Sequence, residues 1–283
     1  MGILRGCKKI DFTFAAIRNN MIIGITGHKG VLGTIIKQQL EALKVSYSVF
    51  EGDVTIKNEL HSWLQQNQVS HLIHLAALVP ITAVTQDFKK AVMVNVQGTM
   101  NILEVLKQLN QRPYFFYAGT CHVYRSADAP LKETDPIEPI NHYGTTKYIA
   151  EVLASNFIND YPMDFCIGRI FSFYHESQKM PFLYPSIKNR LATEDLSQPF
   201  MLRGALSVRD LSNATDICFK IIALVRKGAT GTFNIGTGVG TTIKDFVQSL
   251  STVPLDITYD ATEPVQYLVA DTSKLKQALD IHE

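Results

Sequence analysis

The chain has 283 residues, 46% of them hydrophobic, and carries 27 Lys plus Arg against 26 Asp plus Glu. That length and composition suit one large buried core, or a core with a smaller lobe. A net charge of +1 supplies no basic field that would draw nucleic acid or an anionic membrane surface.

Residues 1–20 combine a basic start with a weakly apolar middle that Asp11 interrupts. They read as an extension ahead of the fold rather than a targeting signal, with Met21 as a natural start. No apolar run reaches membrane-spanning length. Cys7, Cys121, Cys166 and Cys218 form no C-x-x-C pair, and the histidines show no H-x-x-x-H spacing. Neither a disulfide framework nor a metal site is expected, and a cytoplasmic setting fits.

From Met21 onward, short apolar runs alternate with helical patterns. The expected strands are "MIIGIT", "SYSVF", "HLIHLA", "YFFYAG" and "FCIGRI". Between them lie "VLGTIIKQQLEAL", "IKNELHSWLQQ", "DFKKAVMVNVQGTMNILEVLKQL" and "HYGTTKYIAEVLASNFI", with apolar residues recurring near a 3.6 period. Strand–helix alternation of this kind predicts an α/β fold, a Rossmann-type doubly wound parallel sheet. After about residue 170 the pattern loosens into aromatic-, Ser- and Pro-rich sequence. The expected organisation is a dinucleotide-binding domain over 21–170 and, over 171–283, a mainly substrate-binding mixed α/β lobe with segments interleaved with the first domain.

"TGHKGVLG" (residues 26–33) follows the first strand and opens the first helix. Gly27 would allow the tight turn, Gly30 would let backbone N–H groups approach a pyrophosphate, and Gly33 would let the helix pack close to the sheet. The helix N-terminus adds partial positive charge. About 20 residues on, an acidic side chain is expected near the adenosine half, and Glu51 and Asp53 are available.

Tyr-x-x-x-Lys occurs at Tyr143/Lys147 and at Tyr184/Lys188. On a helix such a pair shares one face. A tyrosine is a poor acid near neutral pH, and a nearby ammonium would bring its pKa down. Tyr143 opens a long amphipathic helix and follows a strand ending at Thr120, so it is the pair expected at the cleft. Tyr184 precedes a proline in the irregular lobe.

At these residues the chain resembles the extended short-chain dehydrogenase/reductase family, the NAD-dependent epimerase/dehydratases that act on nucleotide sugars. The resemblance covers about residues 21–280 and runs in family order through "TGHKGVLG", "GDV", "HLAA", "VNVQGTMNILE", "AGTCHVY", "YGTTK", "VRDLSNATDIC" and "FNIGTGVGTTIKDF". It implies hydride transfer between a nicotinamide and a sugar carbon, with Tyr143 as general acid or base. Lys147 would lower the tyrosine pKa and hold the nicotinamide ribose, and Thr120 would bond the reacting oxygen. It also implies dinucleotide contacts from Gly27, Lys29, Gly30, Val31, Leu32 and Gly33, from Glu51, Asp53 and Val54, from Leu75, Ala76 and Ala77, and from Asn95, which would steady the central helices.

Dehydratases of the family carry an acid pair directly after the Thr, where this chain has Cys121 and His122. The expectation is a 4-keto-sugar-nucleotide reductase, with a C4 epimerase using tightly bound NAD as the alternative. "GHKGVLG" resembles the loop of the GDP-L-fucose synthase branch, and the short Gly33–Asp53 span is shared with that branch and the dTDP-4-dehydrorhamnose reductases. A reading of another class is a dinucleotide-binding sensor or scaffold without catalysis, against which the set Thr120, Tyr143 and Lys147 argues. His122 is either an acid/base or a satisfied pocket-edge histidine, and His175 lies near but not on the family's His position.

Lys29 is placed to meet a 2′-phosphate, whereas Glu51 would repel one. NADP(H) is expected, with NAD(H) as the alternative. In the second lobe Arg209 matches a family position that contacts the nucleotide diphosphate, suited to a guanidinium fork, with Asp210 as its structural partner or a loop cap. Ser172 stands where relatives have Asn. Lys188, Arg190 and Arg203 are further phosphate candidates. The expected partners are a nucleotide-sugar substrate and a second copy of the chain, a homodimer.

Overall fold

The computed structural model describes residues 21–281; the extension expected at 1–20 lies outside them. Strands β1 (Ile22–Thr26), β2 (Ser46–Val49), β3 (His71–His74), β4 (Tyr114–Thr120), β5 (Phe165–Ile170) and β6 (Gly231–Ile235) form one sheet in the order β6-β5-β4-β3-β1-β2. Every pairing in it is parallel. The fold is therefore Rossmann-like. The order turns back between β1 and β3, which opens a crevice beyond the carboxyl ends of those strands.

β4 shows why the sheet must be covered twice. Its side chains alternate between faces: Phe115 and Tyr117 enter one apolar cluster, Tyr114, Phe116 and Ala118 the other. On the first face lie α2 (Lys57–Asn67), α3 (Gly98–Gln108) and α4 (His142–Asp160), through Leu60, Leu64, Ile102, Leu106, Ala150 and Ala154. On the second lie α1 (Val31–Ala42) and α6 (Ala214–Lys227), through Ile36, Leu40, Ile217, Ile221 and Leu224. Each such fully buried Leu or Ile contributes about 1.5–3 kcal/mol.

All five expected strands are present. The sixth, β6, was not among them; it pairs with β5, while α6 packs on α1, so the second half of the chain completes the first-half sheet. The long helix expected before β4 is a helical run, Phe88–Val92, a π-turn at Met93–Gln97, then α3. The remaining lobe contains α5 (Leu183–Thr193) and α7 (Ile243–Leu250). Val208–Asp210 pairs antiparallel with Gly240–Thr242 and parallel with Tyr267–Leu268. Its core includes Ile187, Phe200, Leu202, Ile243 and Val247. No helix among the described residues is long and apolar enough to cross a membrane.

Candidate active site

The glycine loop lies at the carboxyl end of β1. Gly27 has φ +72°, and a Cβ there would stand 2.5 Å from the Ala76 backbone nitrogen, in the loop Leu75–Ala77 that follows β3. A Cβ on Gly33 would stand 2.5 Å from the Gly27 carbonyl oxygen. These two glycines let β1, the β3 loop and α1 converge. Gly30 meets only the Gly27 oxygen, at 3.3 Å. It opens α1 without any side-chain cap, so the first-turn amides around Val31 and Leu32 are left for an anion.

At the next strand end, His28 is buried, with Nδ1 3.0 Å from the Phe50 carbonyl oxygen and Nε2 3.2 Å from a Glu51 carboxylate oxygen. Lys29 Nζ lies 2.8 Å from the other Glu51 oxygen, and its hydrogen bond is the first force holding the Glu51 carboxyl below the usual range. Asp53 accepts from the Thr55 amide and hydroxyl and so shapes its own turn. Val54 packs where Gly98 has no side chain.

Asn95 sits in the π-turn, a local widening often found at functional sites. Its Oδ1 accepts from Leu78 N at 2.7 Å; its Nδ2 donates to the Leu78 carbonyl and, at 2.9 Å, to Thr146 Oγ1, which donates to the Tyr143 carbonyl. One amide thereby ties the β3 loop to the first turn of α4. His74, buried between Thr26 and Thr99, joins the ends of β1 and β3 to the π-turn, where the Thr99 hydroxyl donates to the Asn95 carbonyl.

Asn141 caps α4 by accepting from Gly144 N at 2.9 Å. Tyr143 is half-buried in the first turn and Lys147 is buried in the second. The Lys147 ammonium stands 4.2 Å from the Tyr117 ring centroid, and the Tyr117 hydroxyl donates to the Lys147 carbonyl. Burial pushes Lys147 down to about 7, opposed by Glu151 one turn on. Glu151 is itself paired with Arg169 of β5, both side chains buried.

Burial also pushes the Tyr143 phenol up; a hydrogen bond with Thr120 opposes it. The Lys147 ammonium is desolvated over Tyr117, and the forces that shift Tyr143 are burial, the Cys121 thiol and Thr120.

Thr120 ends β4 and accepts from His122 N at 3.3 Å. The Cys121 thiol is buried and pushed up to about 12. His122 stands edge-on to Tyr143, ring centroids 5.9 Å apart, and burial together with Arg209 holds its imidazole down to about 4. Both groups are uncharged at neutral pH.

From the second lobe, Arg209 donates to the Gln266 side chain and carbonyl. It borders an open cavity of about 370 Å³ with Arg203, Leu183, Ser207, Ile243 and Gln266, within the size range of ligand pockets. Asp210 does not pair with Arg209. Wholly buried, it accepts from Thr237 N, Thr237 Oγ1 and Gly238 N, and so caps that loop.

Ser172 lies just past β5 and binds Ser212 through its carbonyl. Arg190 is held by Glu194, Lys188 is exposed, and Tyr184 donates to Glu176 rather than facing Lys188. His175 bonds Ser177 in its own turn. The structure thus brings Thr120, His122, Tyr143, Lys147 and Asn95 together at the strand ends. Sequence reasoning missed Asn141, Tyr117, Glu151 and Gln266; only Asn141, a cap residue directly ahead of a helix, carried a readable signal.

The residue set fits a nicotinamide dinucleotide: a cradle closed to Cβ atoms at Gly27 and Gly33, open amides at α1, and a carboxylate beyond β2. The sequence model of the family described as GDP-mannose 4,6 dehydratase matches residues 25–282. The chain belongs to this family. It is an extended short-chain dehydrogenase/reductase of the nucleotide-sugar epimerase/dehydratase type.

Its curated relatives include UDP-glucose 4-epimerase of Rhizobium leguminosarum bv. trifolii, 26% identical over 254 residues, covering 81% of this chain and 77% of the relative. The chain spans 39% of a GDP-mannose 4,6-dehydratase of Sordaria araneosa. Two solved structures share the fold of this short-chain dehydrogenase/reductase. Thermus thermophilus UDP-glucose 4-epimerase complexed with NAD has a TM-score of 0.79 at 20% identity, covering 91% of this chain and 92% of that one. RMD from Pseudomonas aeruginosa complexed with NADPH has a TM-score of 0.81 at 22% identity, covering 92% of each chain.

Proposed function

We propose that this protein is a nucleotide-sugar 4-epimerase that works with a retained NAD(H). The observation that carries the reading is the pair that follows Thr120. Cys121 and His122 stand where the dehydratases of the family carry an acid pair, so this chain lacks there the carboxyl groups that removal of water from the sugar would use. What remains is chemistry at one carbon. The bound dinucleotide supplies reversible hydride exchange with carbon 4.

Tyr143 moves the proton of the carbon-4 oxygen, and Thr120 holds that oxygen from the end of β4. Lys147, fixed over Tyr117, orients the nicotinamide ribose. Asn95 holds the first turn of α4 in place through Thr146. Arg209, with Arg203 at the edge of the same cavity, takes the diphosphate, matching fork to phosphate oxygens. The Glu51 carboxylate suits a free ribose hydroxyl, and its pairing with Lys29 occupies the cation that a 2′-phosphate would need. The Rhizobium leguminosarum relative, covered over 77% of its length, bears the 4-epimerase name.

The reading includes a homodimer. Ile149, Val152 and Leu153 of α4, Phe88 of the helical run before α3 and Met93 of the π-turn are exposed apolar side chains, and light scattering should give twice the chain mass.

The test is to mix purified protein, without added cofactor, with UDP-glucose, UDP-galactose and the corresponding GDP- and dTDP-hexoses, following carbon-4 configuration by NMR. Tyr143-dependent interconversion, with NAD released on denaturation, supports the reading. Stoichiometric consumption of added NADPH or NADH with a 4-keto nucleotide sugar, and no interconversion, moves the assignment to the reductase, which the resemblance of the "GHKG" loop favours. Dinucleotide binding with neither reaction leaves a sensor or scaffold.

A further inference from the structure

His122 is held more tightly than an acid/base requires, and the way it is held fixes its proton. The Asn141 amide is used at both ends. Its Oδ1 accepts from the Gly144 amide at 2.9 Å, and its Nδ2 lies 2.6 Å from His122 Nδ1. The backbone N–H of Gly144 can only donate, so the amide cannot be turned over, and Nδ2 must donate to Nδ1. An imidazole that accepts at Nδ1 carries its proton on Nε2.

The backbone adds to the restraint. His122 N donates to Thr120 Oγ1, its carbonyl accepts from Ile140 N, and a Cβ on Gly144 would stand 2.2 Å from that carbonyl oxygen. Among the described residues Nε2 has no hydrogen-bonding partner. The ring is half-buried, edge-on to Tyr143, and faces the charge of Arg209 from the second lobe.

We infer that His122 is a neutral donor, locked by Asn141 in the Nε2–H form, which holds a sugar oxygen beside the reacting carbon and selects the sugar. The inference rests on the nucleotide-sugar reading above. The occupant is a hydroxyl or keto oxygen rather than phosphate, because phosphate oxygens go to the Arg209 guanidinium. Tyr143 from α4 stands edge-on to the ring, Asn141 meets it at Nδ1, and Arg209 of the second lobe is the charge that acts on it. No carboxylate is among them to draw a second proton onto the imidazole, and burial and Arg209 both oppose one.

The test couples a tautomer measurement to a binding comparison in the protein as it exists, loaded with dinucleotide. With ¹⁵N-labelled histidine, the His122 signal, assigned by its loss in His122→Ala, should be that of neutral Nε2–H from pH 5.5 to 8. Calorimetric titration should show His122→Ala weakening UDP-glucose, or whichever nucleotide hexose wild type binds, by about 3- to 10-fold, the worth of one neutral hydrogen bond. Binding of the matching nucleoside diphosphate should be unchanged.

Asn141→Asp is the sharper variant. Aspartate still caps α4 but accepts where asparagine donates, so a proton should sit on Nδ1; at pH 8, where the second proton drawn by the new carboxylate has left Nε2, the same selective loss should appear with the fold intact. An imidazolium or Nδ1–H signal in wild type overturns the inference. So does an equal loss for both ligands, or none. Wild type that binds no nucleotide sugar defeats the functional reading itself, whereas sugar binding indifferent to His122 defeats only this inference.

Discussion

Lys29 and Glu51 form an ion pair of 2.8 Å at the mouth of the glycine loop, and the same carboxylate lies 3.2 Å from the buried His28 ring. The pair leaves a carboxylate where an adenosine ribose would be held and engages Lys29 with it. Removing the negative charge frees Lys29. Glu51→Ala is expected to shift the NADPH-to-NADH affinity ratio toward NADPH by about tenfold, an effect that shrinks at high salt because both groups are exposed. Fluorescence titration of both cofactors at low and high ionic strength checks this; an unchanged ratio would remove the basis for preferring NAD(H).

The glycines of the loop should separate into those the fold needs and one the ligand needs. At Gly27 both the positive φ and the 2.5 Å approach of Ala76 N forbid a Cβ, and Gly27→Ala should cost about 2–4 kcal/mol or prevent folding. Gly30 has an ordinary extended backbone, and its Cβ would meet only one oxygen at 3.3 Å. Gly30→Ala should therefore change stability by less than about 1 kcal/mol while weakening dinucleotide binding about tenfold or more, because the added methyl stands between pyrophosphate and the α1 amides. Urea unfolding and cofactor titration of both variants separate the two effects.

The five strands from β1 to β5 were legible because each is a short apolar run set between helical periods. β6 was not. "GTFNI" is a short edge strand with a polar residue in it, and Asn234 is buried because Tyr124, Glu133 and the Leu131 carbonyl satisfy it from distant parts of the chain. The split into helix, π-turn and helix before β4 was equally hidden, since nothing in "AVMVNVQGTM" breaks the apolar period. At the site, types and order of residues were readable, but partners were not. That Asp210 holds the Thr237 loop rather than its neighbour Arg209 depends on contacts between segments 27 residues apart.

Glu151 and Arg169 form a buried ion pair behind the Tyr143–Lys147 face of α4, with Arg169 also bonded to Tyr124 and the Glu133 carbonyl. Removing one member strands the other's charge. Glu151→Ala should destabilise the protein by about 3–5 kcal/mol, read by chemical unfolding. It should also move the alkaline limb of kcat/KM to lower pH, because Glu151 is the group that raises the Lys147 pKa against burial and the ammonium is the form that holds the ribose. A stability loss without that shift would mean that Glu151 serves the fold alone.

Lys147 itself works against stability. Its pKa is pushed down to about 7 in the folded protein by burial, while an unfolded chain keeps a lysine pKa of about 10.4. Between these values the unfolded state holds a proton that the folded state has released, so this residue makes stability rise with pH across that window. Below about 7 both states are protonated, and the desolvation cost is present in full. Methionine fills a similar volume over the Tyr117 ring without the charge. Lys147→Met is expected to be more stable than wild type at pH 7 and below, with the gap closing as pH approaches about 10.4. Its turnover should fall by about 100-fold or more. Thermal melts from pH 6 to 10 alongside the carbon-4 assay test both halves, and a variant less stable than wild type at neutral pH would mean that the ammonium is better satisfied in the folded protein than its burial implies.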